Sequence, residues 1–201
     1  LVKYGTDAQK EAFLRPTAQG EMQAAFALTE PHTGSDASNL KTRAKKVGNK
    51  WVINGSKQFI SSGESGDWCL IFAATDPDAG KKGISAFLTP TDAPGYEVVA
   101  KEDKMGQRAS DLCQLTFSNL EVPPDMMLGE EGQGYRIALE NLTTGRIGIA
   151  AQSTGIARAA LECARDYAKE REAFGQVIME YQAVSHRLAD MATQVEASHH
   201  L

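Results

Sequence analysis

Apolar residues recur along this chain with changing periods, and each period predicts a different kind of element. Residues 6–19 fit a short helix: Thr6 and Gln9 have capping-box spacing, Gly20 can end it, and Phe13 and Leu14 are its only large apolar residues. From Phe26 to about Leu128 the texture is strand-like. The run WVI-NG-SKQFI (51–60) predicts a hairpin turning at Asn54-Gly55, a pair suited to a type I′ turn. WCLIFAAT (68–75), ISAFLT (84–89), YEVVA (96–100) and CQLTF (113–117) predict further strands, separated by Asp-Pro, Lys-Gly, Ala-Pro-Gly and Pro-Pro turns. Short strands with no helix between them predict an antiparallel barrel or sandwich.

At Gly132 the pattern changes to helix. Residues 133–170 hold no proline, and Gly148, Ala151, Gly155 and Ala159 are spaced for close helix approach. A second helix is expected over 177–200, where Val177, Tyr181, Val184, Leu188, Met191 and Val195 alternate four- and three-residue intervals, as in a bundle seam. Joined through Phe174-Gly175, the two helices would form an antiparallel hairpin that leaves much of its seam bare. Further helices or another subunit would have to cover it. The fold class expected is therefore α+β: a helix remnant, an antiparallel β-barrel and a long helical hairpin.

Composition narrows the partners. The 201 residues carry a net charge of −5, and no Lys/Arg run exceeds a pair, which argues against nucleic acid or an anionic membrane surface. No apolar stretch approaches the roughly 20 residues of a membrane span, and no charged-then-apolar leader is visible. Cys69, Cys113 and Cys163 are odd in number and far apart, which suits free thiols rather than a disulfide frame or a zinc site; no metal ligands are expected.

Three segments carry candidate chemistry. FALTEPHTGSD (26–36) can wall a flat ring with its first half and offer N–H groups and a hydroxyl to a phosphate with its second, where Gly34 has no Cβ to keep a ligand away. In QFISSG (58–63), Phe59 can stack on a ring while Ser61 or Ser62 bonds its edge; equally, Phe59 can fill the barrel. REAFGQ (171–176), followed by Gln182, offers an Arg and an aromatic between two helices, able to cap a phosphate or simply to pack at the surface. Glu30 and Asp36 read as caps of turns or of the loop, and His32 carries no assigned role.

TEP-x-x-GS, INGxKxFISxG, GQRxSD (106–111), GRIGIAAQ (145–152) and REAFGQ, in this order and spacing, resemble the acyl-CoA dehydrogenase family, in texture closest to its short-chain, butyryl-CoA type. The resemblance implies the last helix of an N-terminal helical domain (1–21), a middle β-barrel domain (22–130) and the first two helices of a C-terminal four-helix bundle (131–201), hence a piece of a longer homotetramer. By resemblance, Phe26, Leu28 and Thr29 line the isoalloxazine of FAD, and Gly34 and Ser35 meet its pyrophosphate, with Ser35 also near the substrate. Phe59 stands where the family usually has a tryptophan against the flavin, Ile60 adjoins it, and Ser61 replaces a threonine near flavin N5. Arg171, Phe174 and Gln182 would reach the FAD of a neighbouring subunit. Arg146 would lie beside the acyl-CoA, and Thr143 stands where relatives often have an aspartate that binds the CoA adenine.

The implied reaction is α,β-dehydrogenation of an acyl-CoA, with electrons passed to an electron-transferring flavoprotein, in a bacterial cytoplasm or a mitochondrial matrix. One branch of the family has its base immediately before the arginine matched by Arg146; here that residue is Gly145. Glu140 lies roughly 140° around the helix from Gly145. No catalytic residue is therefore expected within the chain; the resemblance puts the glutamate base beyond Leu201, so these residues alone would be inactive. A flavin oxidase or monooxygenase of the same fold, or a non-catalytic assembly module, are the alternative readings.

Overall fold

The computed structural model describes residues 1–201, which divide into two compact units, Leu1–Glu140 and Asn141–Leu201. No helix is long and apolar enough to cross a membrane.

The first unit opens with a helix in three sections, Asp7–Gln9, a π-helical Lys10–Leu14 and Arg15–Gln19. The capping box is present: the Thr6 hydroxyl accepts from the Gln9 N–H, and the Gln9 side chain accepts from the Thr6 N–H. Gly20 ends the helix in the left-handed region. The buried Gln9 then donates to the carbonyls of Asp125 and Met127, fastening the helix to the far end of the unit.

The strands that follow are β1 (Ala24–Ala27), β2 (Arg43–Val47), β3 (Lys50–Ser61), β4 (Trp68–Ala74), β5 (Ile84–Pro90), β6 (Tyr96–Lys101) and β7 (Leu112–Val122). They form one sheet in the order β1-β4-β2-β3-β7-β6, with β5 paired to β4. The expected antiparallel barrel is corrected here. The sheet is a curled half-barrel of mixed direction, because β1 and one residue pair of β2 run parallel to β4. The missing helices excluded only helical crossovers; here the parallel connection passes through the β2/β3 hairpin instead.

That hairpin does not turn at Asn54-Gly55. It turns at Gly48-Asn49, with Gly48 at φ +58°, and β3 runs straight through the Asn-Gly pair. Asn54 uses its side-chain oxygen to accept from the Asn119 N–H, where β7 carries one extra residue. Gly55 sits at φ +150°, and a Cβ there would lie 2.6 Å from the Thr42 Cα. The glycine serves a close backbone crossing.

Two apolar cores lie on the two faces of the sheet. Ile53, Ile60, Cys69, Ile71, Phe87, Leu115 and Phe117 fill one. Phe13, Leu28, Leu40, Trp68, Phe72, Leu88 and Leu128 fill the other, joined by Ile137 and Ala138 from the start of the long helix Gly134–Glu170. β4 alternates between them: Cys69 and Ile71 go one way, Trp68 and Phe72 the other. Burial on both faces explains why 68–74 is almost continuously apolar.

In the second unit the long helix ends at Glu170. A small ladder, β8 (Glu172–Ala173) with β9 (Gln176–Val177), turns through Phe174 at φ +51° and Gly175 at φ +83°, the two positive angles of a type I′ turn. The last helix runs Gln182–His200 and not from 177. Val177 and Tyr181 are extended, and the Tyr181 hydroxyl is spent on the Ala173 carbonyl, so neither can start the helical seam.

Candidate flavin-binding face

The 26–36 segment leaves β1 and is fixed at several points. Glu30 and Thr33 exchange backbone hydrogen bonds of 3.0 Å, closing Pro31-His32 into a tight tip. The Thr33 hydroxyl donates to the Asp36 carbonyl, and Asp36 accepts from the Ser38 hydroxyl. His32 lies 2.8 Å from the Asn39 carbonyl. Glu30, only 4% exposed, caps the returning chain: one carboxylate oxygen accepts from the Lys41 N–H at 2.6 Å, the other from the Thr42 N–H at 3.0 Å.

Beneath this loop lies a buried ion pair that the sequence reading missed. Lys57 is completely buried, and its ammonium donates to Glu30 Oε1 and to the Leu28 carbonyl, both at 2.9 Å. Burial pulls the Lys57 ammonium down to about 8, although Glu30 pulls it up. Burial also works to raise the Glu30 carboxyl, but Lys57 and the Lys41 and Thr42 amides outweigh it and hold it below its usual range. The signal was strand parity. Trp51 and Ile53 point into the core, and Lys57 falls on the same alternation.

One residue further, β3 is bulged: Lys57 pairs Leu115, yet Ile60 pairs Cys113, so three steps on β3 oppose two on β7. Phe59 absorbs the extra step at φ +58° and is 57% exposed. Bulges re-aim side chains, and a non-glycine residue held in the left-handed region costs about 1–2 kcal/mol. The chain thus keeps an aromatic face outside its core at an energetic cost, so Phe59 does not fill the barrel. The adjoining Gln58 N–H donates to the Thr29 carbonyl at 2.9 Å, which brings the loop beside the bulge.

Seen together in the first unit, Thr29 is half-buried with neither hydroxyl nor N–H bonded within the chain. Gly34, Ser35 and Asp36 are exposed, and their N–H groups also have no partner in the chain. Ser61 is exposed beside Phe59. Phe26 is half-buried and packs at 4.9 Å against Phe72. Leu28 and Ile60 are 6% and 2% exposed, so a ligand would meet them through their backbone rather than their side chains. A Cβ added at Gly34 would meet only Thr29 Cγ2, at 4.0 Å. Nothing in the chain itself requires glycine there. An exposed aromatic, unengaged N–H and O–H donors and an open glycine suit a flat ring carrying an anionic tail, as FAD does.

Asp111 braces the turn that follows β3. Its carboxylate accepts from the Glu64 N–H at 2.8 Å, the Ser65 hydroxyl at 2.6 Å and the Cys113 thiol at 3.2 Å. Burial opposes ionisation, but the bonds from Ser65, Glu64 and Cys113 hold the carboxyl far below the usual carboxylate range. A carboxyl depressed by folding stabilises the fold above its unfolded pKa of about 3.9 and loses that contribution as pH falls. Asp111→Asn is therefore expected to cost roughly 1–3 kcal/mol at pH 7. The gap to wild type should narrow in urea melts taken progressively below pH 4, and a constant gap would show that the carboxylate is not the source.

Glu140 is engaged too. Its carboxylate accepts from Lys3 at 2.7 Å, from the Tyr4 hydroxyl at 2.8 Å and from Arg136 at 2.9 Å. The Lys3 bond first, then Tyr4 and Arg136, bring it down to about 2, a poor match for a general base near neutral pH.

In the second unit, Arg171 and Phe174 are exposed, Phe174 by 98%, at the β8–β9 turn. Gln182 opens the last helix, and Thr143 and Arg146 lie exposed on the long one.

Residues 25–120 match the description acyl-CoA dehydrogenase, middle domain, and residues 132–201 match acyl-CoA dehydrogenase, C-terminal domain. The chain belongs to the acyl-CoA dehydrogenase family. An acyl-CoA dehydrogenase of Bacillus subtilis (strain 168) is 50% identical over 201 residues, all of this chain and 53% of that protein. Butyryl-CoA dehydrogenase from Megasphaera elsdenii superposes with a TM-score of 0.94 at 46% identity, over 98% of this chain and 51% of that one. A chain solved in work on the electron transferring flavoprotein of Acidaminococcus fermentans superposes at 0.93 with 47% identity, over 98% of this chain and 52% of the other. The chain thus spans about half the length of the acyl-CoA dehydrogenases it matches.

Proposed function

We propose that the protein carrying this chain is an FAD-dependent dehydrogenase of short- to medium-chain acyl-CoA thioesters, and that residues 26–36 and 58–61 form one wall of its flavin site. The observation that carries this reading is the β3 bulge, which holds Phe59 outside the core next to the unengaged donors of Thr29. The chemistry FAD supplies when bound is acceptance of a hydride from the β-carbon of the thioester.

The chain's own residues bind and orient. Phe59 and Phe26 would cover the ring, and Thr29 would donate to its edge. The N–H groups of Gly34 and Ser35 would take the pyrophosphate, and the exposed Ser61 hydroxyl next to Phe59 would be available to the ring. Arg146 offers positive charge to the substrate, and Thr143 contributes a neutral hydroxyl near it. Arg171, Phe174 and Gln182 serve the flavin of a neighbouring subunit in a homotetramer, and their exposure is in keeping with a partner outside this chain. Residues 22–130 act as the middle domain and 131–201 as the start of an antiparallel helical bundle. No residue of the chain serves as the α-proton base: Gly145 has no side chain, and Glu140 is tied to three donors. An electron-transferring flavoprotein takes the electrons on, in a bacterial cytoplasm or a mitochondrial matrix.

Gly34 gives a clean test. Gly34→Ala meets no atom within van der Waals clash distance, and its φ is not in the left-handed region. Thermal stability should therefore stay within about 0.5 kcal/mol of wild type. The added methyl crowds the N–H groups that meet the pyrophosphate, so FAD should bind about tenfold more weakly, the worth of one good hydrogen bond. Titration of the purified full-length protein with FAD, followed by flavin fluorescence, measures both forms. Unchanged affinity would remove the loop from the site. Wild-type protein that takes up no flavin, or turns over butyryl-CoA only with release of hydrogen peroxide, would overturn the reading itself.

A further inference from the structure

The 57–58 dipeptide holds three consecutive residues of the loop at once. Lys57 Nζ bonds the Leu28 carbonyl, the Gln58 N–H bonds the Thr29 carbonyl, and Lys57 Nζ also pairs with the Glu30 carboxylate. Glu30 in turn receives the Lys41 and Thr42 amides, so both ends of the 28–42 loop converge on one buried ion pair. The next residue in sequence, Phe59, is the exposed aromatic, held by the bulge. Carbonyl 28, carbonyl 29 and carboxylate 30 are thereby directed inward to β3. The N–H and hydroxyl of Thr29 remain uncommitted, while its carbonyl is bonded to Gln58, the neighbour of the strained Phe59 on β3.

A strand lysine buried at a core-facing position is expensive. An isolated ammonium in such a place would lose its proton or unfold the site, and even a well-made buried pair seldom adds net stability over apolar residues of the same volume. Packing alone gives no reason for charge at this position, since Ile53 and Ile60 fill the neighbouring core positions of β3 with hydrocarbon. What the pair contributes is geometric. An ammonium with three donors can hold a carbonyl and a carboxylate from one loop simultaneously, which a methionine or leucine cannot do.

From this geometry we infer that Lys57 and Glu30 are positioning residues for flavin recognition: they fix the loop so that the Thr29 donors and the Phe59 ring are registered to the same ligand. The inference rests on the flavin reading above. It assigns to Lys57 and Glu30 a purpose beyond holding the fold together, although neither touches the ligand. Preorganised donors lose affinity quickly when displaced by a fraction of an ångström.

The test uses the full-length protein in three forms. Lys57→Met leaves Glu30 without its cation. Glu30→Gln/Lys57→Met removes both charges and keeps an amide oxygen for one of the two loop N–H groups. Gln9→Leu is the control, since it loosens the first unit at the Asp125 and Met127 carbonyls, away from the loop. FAD affinity and the visible spectrum of the bound flavin are read at a temperature where each form is folded by circular dichroism. Both Lys57 forms are expected to bind FAD about tenfold more weakly, equivalent to one lost hydrogen bond. Their flavin band should move toward that of free FAD. Gln9→Leu should keep wild-type affinity and spectrum despite a lower Tm.

The double variant keeps the question open to refutation if Lys57→Met fails to fold. Wild-type affinity and an unshifted band in a folded Lys57 form would make the pair purely structural and overturn the inference, with the flavin reading intact. An equal loss in Gln9→Leu would also overturn it, by tracing the effect to general loosening. If wild-type protein takes no FAD, the flavin reading fails, and the inference that rests on it is overturned as well.

Discussion

Lys57→Met is expected to destabilise the protein by about 3–5 kcal/mol, the typical cost of removing one partner from a buried ion pair. The reasons lie in what is left behind. The Glu30 carboxylate, 4% exposed, would keep two amide N–H groups but lose its cation. The Leu28 carbonyl would lose its donor inside the core. Each buried, unsatisfied polar group costs roughly 1–3 kcal/mol, more when charged. Methionine replaces the hydrocarbon stem of lysine with similar volume, so a cavity is not the cause. For a domain of this size the loss corresponds to about 10 °C or more in Tm. Urea unfolding followed by tryptophan fluorescence suits the measurement, because Trp51 and Trp68 lie in the two cores of this unit. A loss below about 1 kcal/mol would mean that water or rearrangement satisfies Glu30 once the lysine is gone.

Gly55→Ala comes second. Its Cβ would stand 2.5 Å from Thr42 Oγ1 and 2.6 Å from Thr42 Cα, and the φ of +150° is one that alanine rarely adopts. The hydroxyl could rotate aside, but the Cα could not without moving the backbone that leads into β2. Overpacking of this kind costs about 1–3 kcal/mol, and strain at an incompatible φ adds to it. The expected sum is roughly 3 kcal/mol. The contrast with Gly34→Ala is informative, since one alanine meets backbone at 2.6 Å and the other only the Thr29 methyl at 4.0 Å. Thermal melts of the two variants side by side should separate by several degrees, and equal Tm values would contradict the close crossing at Thr42.

Much of the fold was legible in the pattern. The capping box at Thr6, the strands at 68–74 and 84–90, and the long helix from Gly134 all lie where periodicity and punctuation put them. The failures have local causes. Asn54-Gly55 carries the usual residues of a hairpin turn, yet its glycine serves a backbone crossing and its asparagine a side-chain bond to Asn119. β2, with Lys45, Lys46 and Val47 all exposed, has too little apolar alternation to announce itself. Val177 and Tyr181 continue the helical spacing by coincidence, because a tight turn and a hydroxyl bond hold them extended. At the candidate site, the loop and Phe59 could be picked out by residue type. The Lys57–Glu30 pair could not be found that way, because a lysine in a strand reads as a solvated charge unless its parity is compared with that of Trp51 and Ile53.

The left-handed backbone at Phe59 sets a trap for anyone improving this protein by stability alone. Glycine or asparagine there would relieve about 1 kcal/mol of conformational strain and remove an exposed aromatic from water. Phe174, 98% exposed at φ +51°, invites the same replacement. On the flavin reading proposed above, a library screened for heat resistance would therefore enrich for variants that have lost both aromatic faces, and its hardiest members would be its palest when purified.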